Sequence, residues 1–218
     1  MFLEQGRDIR PSAQVLDALG RALRLTGAER AHLHDLVHGG PAVAAQAPDA
    51  LLPAVEALVA RLDPWPAYVT GRRFDVLTSN RAARALWADW PARPAPERNV
   101  LWWTFLDPAA RTILADWESV AKAELARLRA AFARHPGDQR FAALVARLQD
   151  GSAEARRWWP EHDVVPLSSG AKRIRHPALG VIEFQHAVLQ VADDPEQKLV
   201  TFTAAAQDAA RIAELIGS

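Results

Sequence analysis

Tyr68-Val69-Thr70-Gly71-Arg72-Arg73-Phe74-Asp75-Val76-Leu77-Thr78 sets two runs of β-forming side chains on either side of a glycine-containing turn. That pattern predicts a hairpin. Asn80 follows where a helix N-cap is needed, and Ala83, Leu86 and Trp87 then recur at helical spacing. The hairpin therefore runs directly into a helix. Further on, after Ser168-Ser169-Gly170, the apolar period changes to two. Residues 172–176, 181–191 and 199–203 read as three antiparallel strands, with turns at 177–180 and 193–197.

Between hairpin and strands the period is helical. Asp107-Pro108 is a cap with a first-turn proline, and it opens one long helix. Its stripe is Ile113, Leu114, Trp117, Val120, Ala121, Leu125, Leu128 and Phe132, and Pro136-Gly137 ends it. Asp138 caps a helix carrying Phe141, Leu144, Val145 and Leu148. Ser152 opens a short one with Trp158-Trp159, and a C-terminal helix carries Ile212, Leu215 and Ile216. The proline-rich stretch 91–96 is a loop. The order is hairpin, helices, three strands. It predicts an α+β fold: one antiparallel sheet with helices on one face.

Working back from the hairpin, Val55, Leu58, Val59 and Leu62 share a helix face, and Asp63-Pro64 stops that helix. Residues 39–50 are rich in Ala, Pro and Gly and read as a linker. Residues 1–38 read as a short all-α piece of two helices. One carries Val15, Leu16, Leu19 and Leu23. The other opens with Thr26-Gly27-Ala28-Glu29, a capping box, and carries Leu33, Leu36 and Val37. The expected division is 1–38, linker 39–50, and a main domain over 51–218.

Composition narrows the function classes. The 218 residues hold 26 Lys+Arg against 26 Asp+Glu, so there is no electrostatic footprint for non-specific nucleic-acid binding. Cys 0 excludes a disulfide scaffold, a cysteine nucleophile and a Cys-ligated zinc. No apolar run approaches the about 18 residues of a membrane span. Met1–Arg10 lacks the apolar core of a signal peptide, so the expectation is a cytoplasmic protein with no membrane partner. Trp 8 against Tyr 1 is the unusual count. Large apolar rings that each want one N–H partner suit the wall of an apolar cavity.

Catalytic patterns are weak. His34 and His38 have metal-ligand spacing but no HExxH context. Ser169 and Lys172 match SxxK but precede a strand rather than lying on a helix. Asp116 and Glu118 point to different helix faces. Neither GxSxG nor GxGxxG occurs. The aromatic set Trp102, Phe105, Trp117, Trp158 and Phe184, with Trp103 and Trp159, instead marks either an apolar binding cavity or ordinary core. Candidates for an anionic head group are Arg111 and, on the first C-terminal strand, Lys172, Arg173, Arg175 and His176. Alternation puts Lys172, Ile174 and His176 on one face. Because histidine is buried more often than arginine, His176 is the preferred polar wall residue. Its alternative role is a structural histidine at the Pro177 turn.

Tyr68 to Trp87, with Asn80, Ala83 and Leu86, resembles the opening of a PAS domain, and the strand order two, helices, three fits that fold. A longer ordered series covers residues 52–205. It comprises Arg72-Arg73-Phe74-Asp75-Val76-Leu77, Arg98-Asn99-Val100-Leu101, Phe105, Asp107-Pro108-Ala109-Ala110-Arg111 and Asp116-Trp117-Glu118. Leu128-Arg129, Trp158, His162-Asp163-Val164, His176-Pro177, Gly180 and Pro195 complete it. This series resembles the ligand-binding domain of MmyB-like (MltR-type) bacterial transcription regulators. Leu3 to Ser12 is similar to the end of an XRE/Cro-type recognition helix and the turn after it. The resemblance implies a PAS-like sensor for a small apolar, fatty-acid-like ligand. It also implies that duplex DNA is a partner only if the missing N-terminal helices are restored. With the resemblance, an exposed patch of Leu16, Leu19 and Leu23 points to a homodimer or a weak self-association. From the weak catalytic patterns, no enzymatic activity and no cofactor are expected. Either the sensor has lost its reader or the reader is encoded upstream of the assigned start. The rival expectations are a small-molecule enzyme on the same scaffold and an interaction protein that dimerises with an intact regulator.

Overall fold

In the computed structural model the described residues are 13–23, 50–161 and 170–217. The chain divides into two units, Met1–Pro48 and Asp49–Ser218. In the first, α1 (Ala13–Ala22) buries Leu16 and exposes Val15, and Leu23 just after it is exposed. The exposed patch expected of Leu16, Leu19 and Leu23 thus loses Leu16. The helix expected from Thr26, the linker up to residue 49, His34, His38, His162 and Ser169 lie outside the described residues.

In the second unit α2 (Pro53–Arg61) leads to β1 (Ala67–Thr70) and β2 (Val76–Ser79). They form the hairpin, pairing Tyr68 with Ser79 and Val69 with Thr78. In the turn Phe74 adopts a φ of 65°, which a bulky side chain rarely accepts. Two backbone bonds hold it there: its N–H donates to Gly71 O and its carbonyl accepts from Val100 N–H, both at 3.0 Å. Then come α3 (Arg81–Leu86), α4 (Val100–Leu106), α5 (Pro108–Ile113), α6 (Trp117–Arg134), α7 (Gln139–Gly151) and α8 (Ala153–Trp158). Strands β3 (Gly170–His176), β4 (Gly180–Val191) and β5 (Asp194–Thr203) and helix α9 (Ala206–Leu215) complete the fold. Side-chain caps start five of these helices. The Asn80, Asn99, Asp107, Asp138 and Ser152 oxygens accept backbone N–H groups at the heads of α3, α4, α5, α7 and α8. Each satisfies donors that a helix start leaves unpaired.

The five strands form one antiparallel sheet in the order β2-β1-β5-β4-β3. This is the α+β, PAS-like architecture the sequence order predicts. Tyr68, Val200, Phe202, Phe184, Ile182 and Ile174 lie on the face that joins the largest core cluster, with Trp87, Trp90 and Trp103. Alternation turns Ala67, Val69 and Leu199 to the other face, where Val59 of α2 packs on them. One helix therefore also covers the β1–β5 end of the second face. A third cluster lies among the helices and includes Leu101, Phe105, Leu125, Leu128, Phe141 and Trp158. No helix among the described residues is long and apolar enough to cross a membrane.

Two local expectations are corrected. The single long helix from Asp107 is two helices. Leu114 leaves helical geometry at ψ 112° and bridges Ile174 of β3, and Ala115 N–H donates to Arg173 O at 3.0 Å. The Arg173 guanidinium in turn grips Asp116 at 3.0 and 2.7 Å. The backbone groups released by the helix are thus used by the edge of the sheet. The turn expected at 193–197 is shorter, because Val191 pairs with Asp194 and β5 begins there. Pro195 is tolerated beside a register shift, and Gln197 Nε2 donates to Asp194 Oδ2 at 3.1 Å.

Candidate functional site

Small side chains open a space between α6 and the sheet. Ser119, Ala123 and Arg127 recur every four residues on α6, and Val120 and Glu124 lie beside them on the same side. Opposite stand Gly170, Ala171 and Lys172 of β3, His186 and Val188 of β4, Lys198, Val200 and Phe202 of β5, and Tyr68 and Thr70 of β1. Phe74 and Val100 complete the lining. The result is a cavity of about 280 Å³. Its deep side is formed by buried Tyr68, Val100, Glu124 and Phe202. Ser119 and Ala171 at its rim are exposed, and Arg127 and Lys198 are half-buried.

The charges are unequal. Arg127, Lys172 and Lys198 share the lining with one carboxyl, Glu124. Lys172 Nζ lies 3.9 Å from Glu124 Oε1, and the two side chains keep 15% and 6% of their exposure. Burial pushes the Lys172 ammonium below the usual lysine range, against the pull of Glu124 and together with Arg127. Burial also lowers Lys198, with Glu196 opposing. The Tyr68 hydroxyl is pushed well up, by burial first and by Glu124 second.

A small recess of about 10 Å³ adjoins the cavity, sharing Tyr68, Val100, Glu124, Lys172 and Phe202 with it and adding Trp87, Trp90 and Trp103. Glu124 Oε2 and the indole N–H groups of Trp90 and Trp103 are buried without hydrogen-bond partners. Each such group carries a desolvation cost of about 1–3 kcal/mol. Three in the lining of one recess make it a place that wants a polar occupant.

Of the candidates named from sequence, Trp103 lines the recess, whereas seven, Trp102, Phe105, Arg111, Trp117, Trp158, His176 and Phe184, lie outside the cavity. Phe105, Trp117 and Trp158 meet one another with ring centroids 5.8–6.4 Å apart. Trp117 Nε1 donates to Thr104 O at 2.8 Å, and Arg111 stacks 3.7 Å over the Trp117 ring while pairing with Glu154 at 2.7 Å. Trp102 is half-buried with Arg93 5.6 Å from its ring. Phe184 packs against Trp87 and Phe202 in the sheet's core. His176 Nδ1 accepts from Ala178 N–H at 3.3 Å, a structural role at the Pro177 turn. None of the seven lines the 280 Å³ cavity. Phe105 and Arg111 border a separate cleft with Asp107 and Glu154.

Lys172 stood among the head-group candidates on the Ile174 face, and it is the one that reaches the cavity. Tyr68, Glu124, Arg127 and Lys198 were not singled out. Glu124 carried a signal: it falls three residues after Ala121 and four before Leu128, on the apolar side of its helix. Asp116 and Glu118 each have their own partner, Arg173 and Lys122. A search of the curated proteins finds no match to this chain. The family model described as the MmyB-like transcription regulator ligand binding domain matches residues 51–215, which contain the whole sheet and cavity, and the chain belongs to that family.

Proposed function

We propose that this chain is the effector-sensing part of an XRE-type bacterial transcription regulator. Its effector is a small fatty-acid-like amphiphile held between α6 and the sheet. The observation that supports this most is the make-up of the cavity. Phe74, Val100, Val188, Val200 and Phe202 offer apolar wall, while three cationic side chains outnumber one carboxyl. An unpaired carboxylate is costly in an apolar site, so an acid needs these cations. A volume of about 280 Å³ is at the lower end for small-molecule sites, which favours a medium-length chain. Each CH₂ buried contributes about 0.8 kcal/mol, so roughly ten outweigh the ordering of a flexible tail. Binding acts by favouring the arrangement of α6 and the sheet that keeps the cavity open, and it transmits only as far as affinity differs between two states.

Native mass spectrometry of the purified chain, followed by titration with decanoic acid and decanol, tests this reading. The acid should bind more tightly than about 100 μM, equivalent to roughly 5.5 kcal/mol, and more tightly than the alcohol. Arg127→Ala together with Lys198→Ala should narrow that difference. If no amphiphile co-purifies and neither compound binds below that concentration, the reading fails.

A further inference from the structure

Building on the amphiphile reading, we infer that the recess beside Glu124 selects a ligand bearing a hydroxyl group, so the effector is a hydroxylated acid rather than a plain one. The inventory of unmet bonds leads there. Glu124 Oε2 offers one acceptor without a donor, and the Trp90 and Trp103 indoles offer two donors without an acceptor. All three side chains line the recess. A hydroxyl has one hydrogen to donate and two lone pairs to receive, which matches that set. The recess, at about 10 Å³, is the size of one water-scale group. A methyl terminus would leave all three groups unmet. A carboxylate is larger and would set a second anion beside Glu124.

The placement also gives the ligand a direction. Glu124 is buried on the deep side, whereas Arg127 and Lys198 are half-buried nearer solvent. The carboxylate therefore rests toward the rim, and the hydroxyl lies at or near the far end of the chain. Glu124 is a specificity residue in this arrangement, and Lys172, 3.9 Å from its other oxygen, holds the carboxyl in place.

The test is a calorimetric titration of octanoic, decanoic and dodecanoic acids against their ω-hydroxy forms, on wild type, Glu124→Gln, Glu124→Leu and Trp103→Phe. The best hydroxy acid should bind about ten-fold more tightly than its parent, as sites built around a hydroxyl reject analogues that lack it. The preference should shrink in Trp103→Phe, fall partly in Glu124→Gln, which keeps an acceptor, and fall furthest in Glu124→Leu, which leaves the hydroxyl only the indole donors. If parent and hydroxy acids bind equally at every length, the recess holds only a water and the inference is overturned while the amphiphile reading stands. If no acid of either series binds, the amphiphile reading itself falls. Should a variant fail a thermal-melt check, the wild-type pair alone decides.

Discussion

Two parts of this molecule share α6 and differ in every other respect. On one side, Phe105, Trp117 and Trp158 fill the space among helices with rings in mutual contact, and the Trp117 N–H is satisfied by Thr104 O. On the other, Ser119, Ala123, Gly170 and Ala171 are among the residues lining a cavity that remains open. Large aromatic side chains close volume because dense contact is what stabilises them. Volume is left open where small residues from facing elements coincide. Phe105, Trp117 and Trp158 therefore belong to the frame, and the candidate cavity opens where side chains are small.

The largest effect expected from this contrast is on stability. Trp158→Ala should lower unfolding free energy by about 3–5 kcal/mol in denaturant titrations, as for other large buried aromatics. Its folded fraction should bind decanoic acid within roughly two-fold of wild type, since distant sites act independently. A loss of affinity much beyond that would move the binding site toward the aromatic cluster.

Ala123→Leu is the converse experiment. Added methyl groups enter open volume, so stability should change by less than about 1.5 kcal/mol. Affinity for decanoic acid should fall about ten-fold or more. Unchanged affinity would separate the cavity from binding.

A smaller effect comes from the link between the two regions. Arg73, in the turn that carries Phe74 to the cavity, donates to Asp138 Oδ2 at 3.4 Å, and Asp138 caps α7. Asp138→Ala should cost about 1 kcal/mol, the usual worth of such a cap. Burial alone would raise the Asp138 carboxyl. Backbone N–H groups of Arg140 and Phe141, with the Arg73 guanidinium, nonetheless hold it below the usual aspartate range. A depressed folded pKa adds stability that is complete above the unfolded value, near 3.9, and is lost as pH falls through the folded one. The acid limb of the stability profile should thus be shallower in Asp138→Ala than in wild type. Parallel limbs would contradict the assignment.

His176→Ala should do least. Removing one 3.3 Å bond at an exposed turn should shift stability by no more than about 0.5 kcal/mol. It should leave the preference for acid over alcohol intact, and a lost preference would return His176 to the site.

How far the sequence carried depended on range. The hairpin and the caps at Asn80, Asp107, Asp138 and Ser152 are local patterns, so they were legible. The break at Leu114 was not, because Ile113, Leu114, Trp117 and Val120 keep helical spacing while β3, sixty residues away in the chain, draws the backbone out. Asp194-Pro195 has turn composition, yet pairing across to β4 makes it strand. The candidate site was the least legible part. Lys172 comes opposite Phe184, and Lys198 opposite Thr70, only through strand registers that no local pattern encodes. Tryptophan count drew attention to the aromatic cluster. Whether rings line a space or fill it depends on their neighbours, and here Ala123, Gly170 and Ala171 share the lining of the cavity.

Anomalous diffraction from crystals grown with a terminally brominated decanoic acid tests the central claim most directly. The account predicts one bromine peak between α6 and strands β1 and β5, near Glu124 and Phe202. A peak among Phe105, Trp117 and Trp158, or none in the cavity at saturating acid, would contradict it.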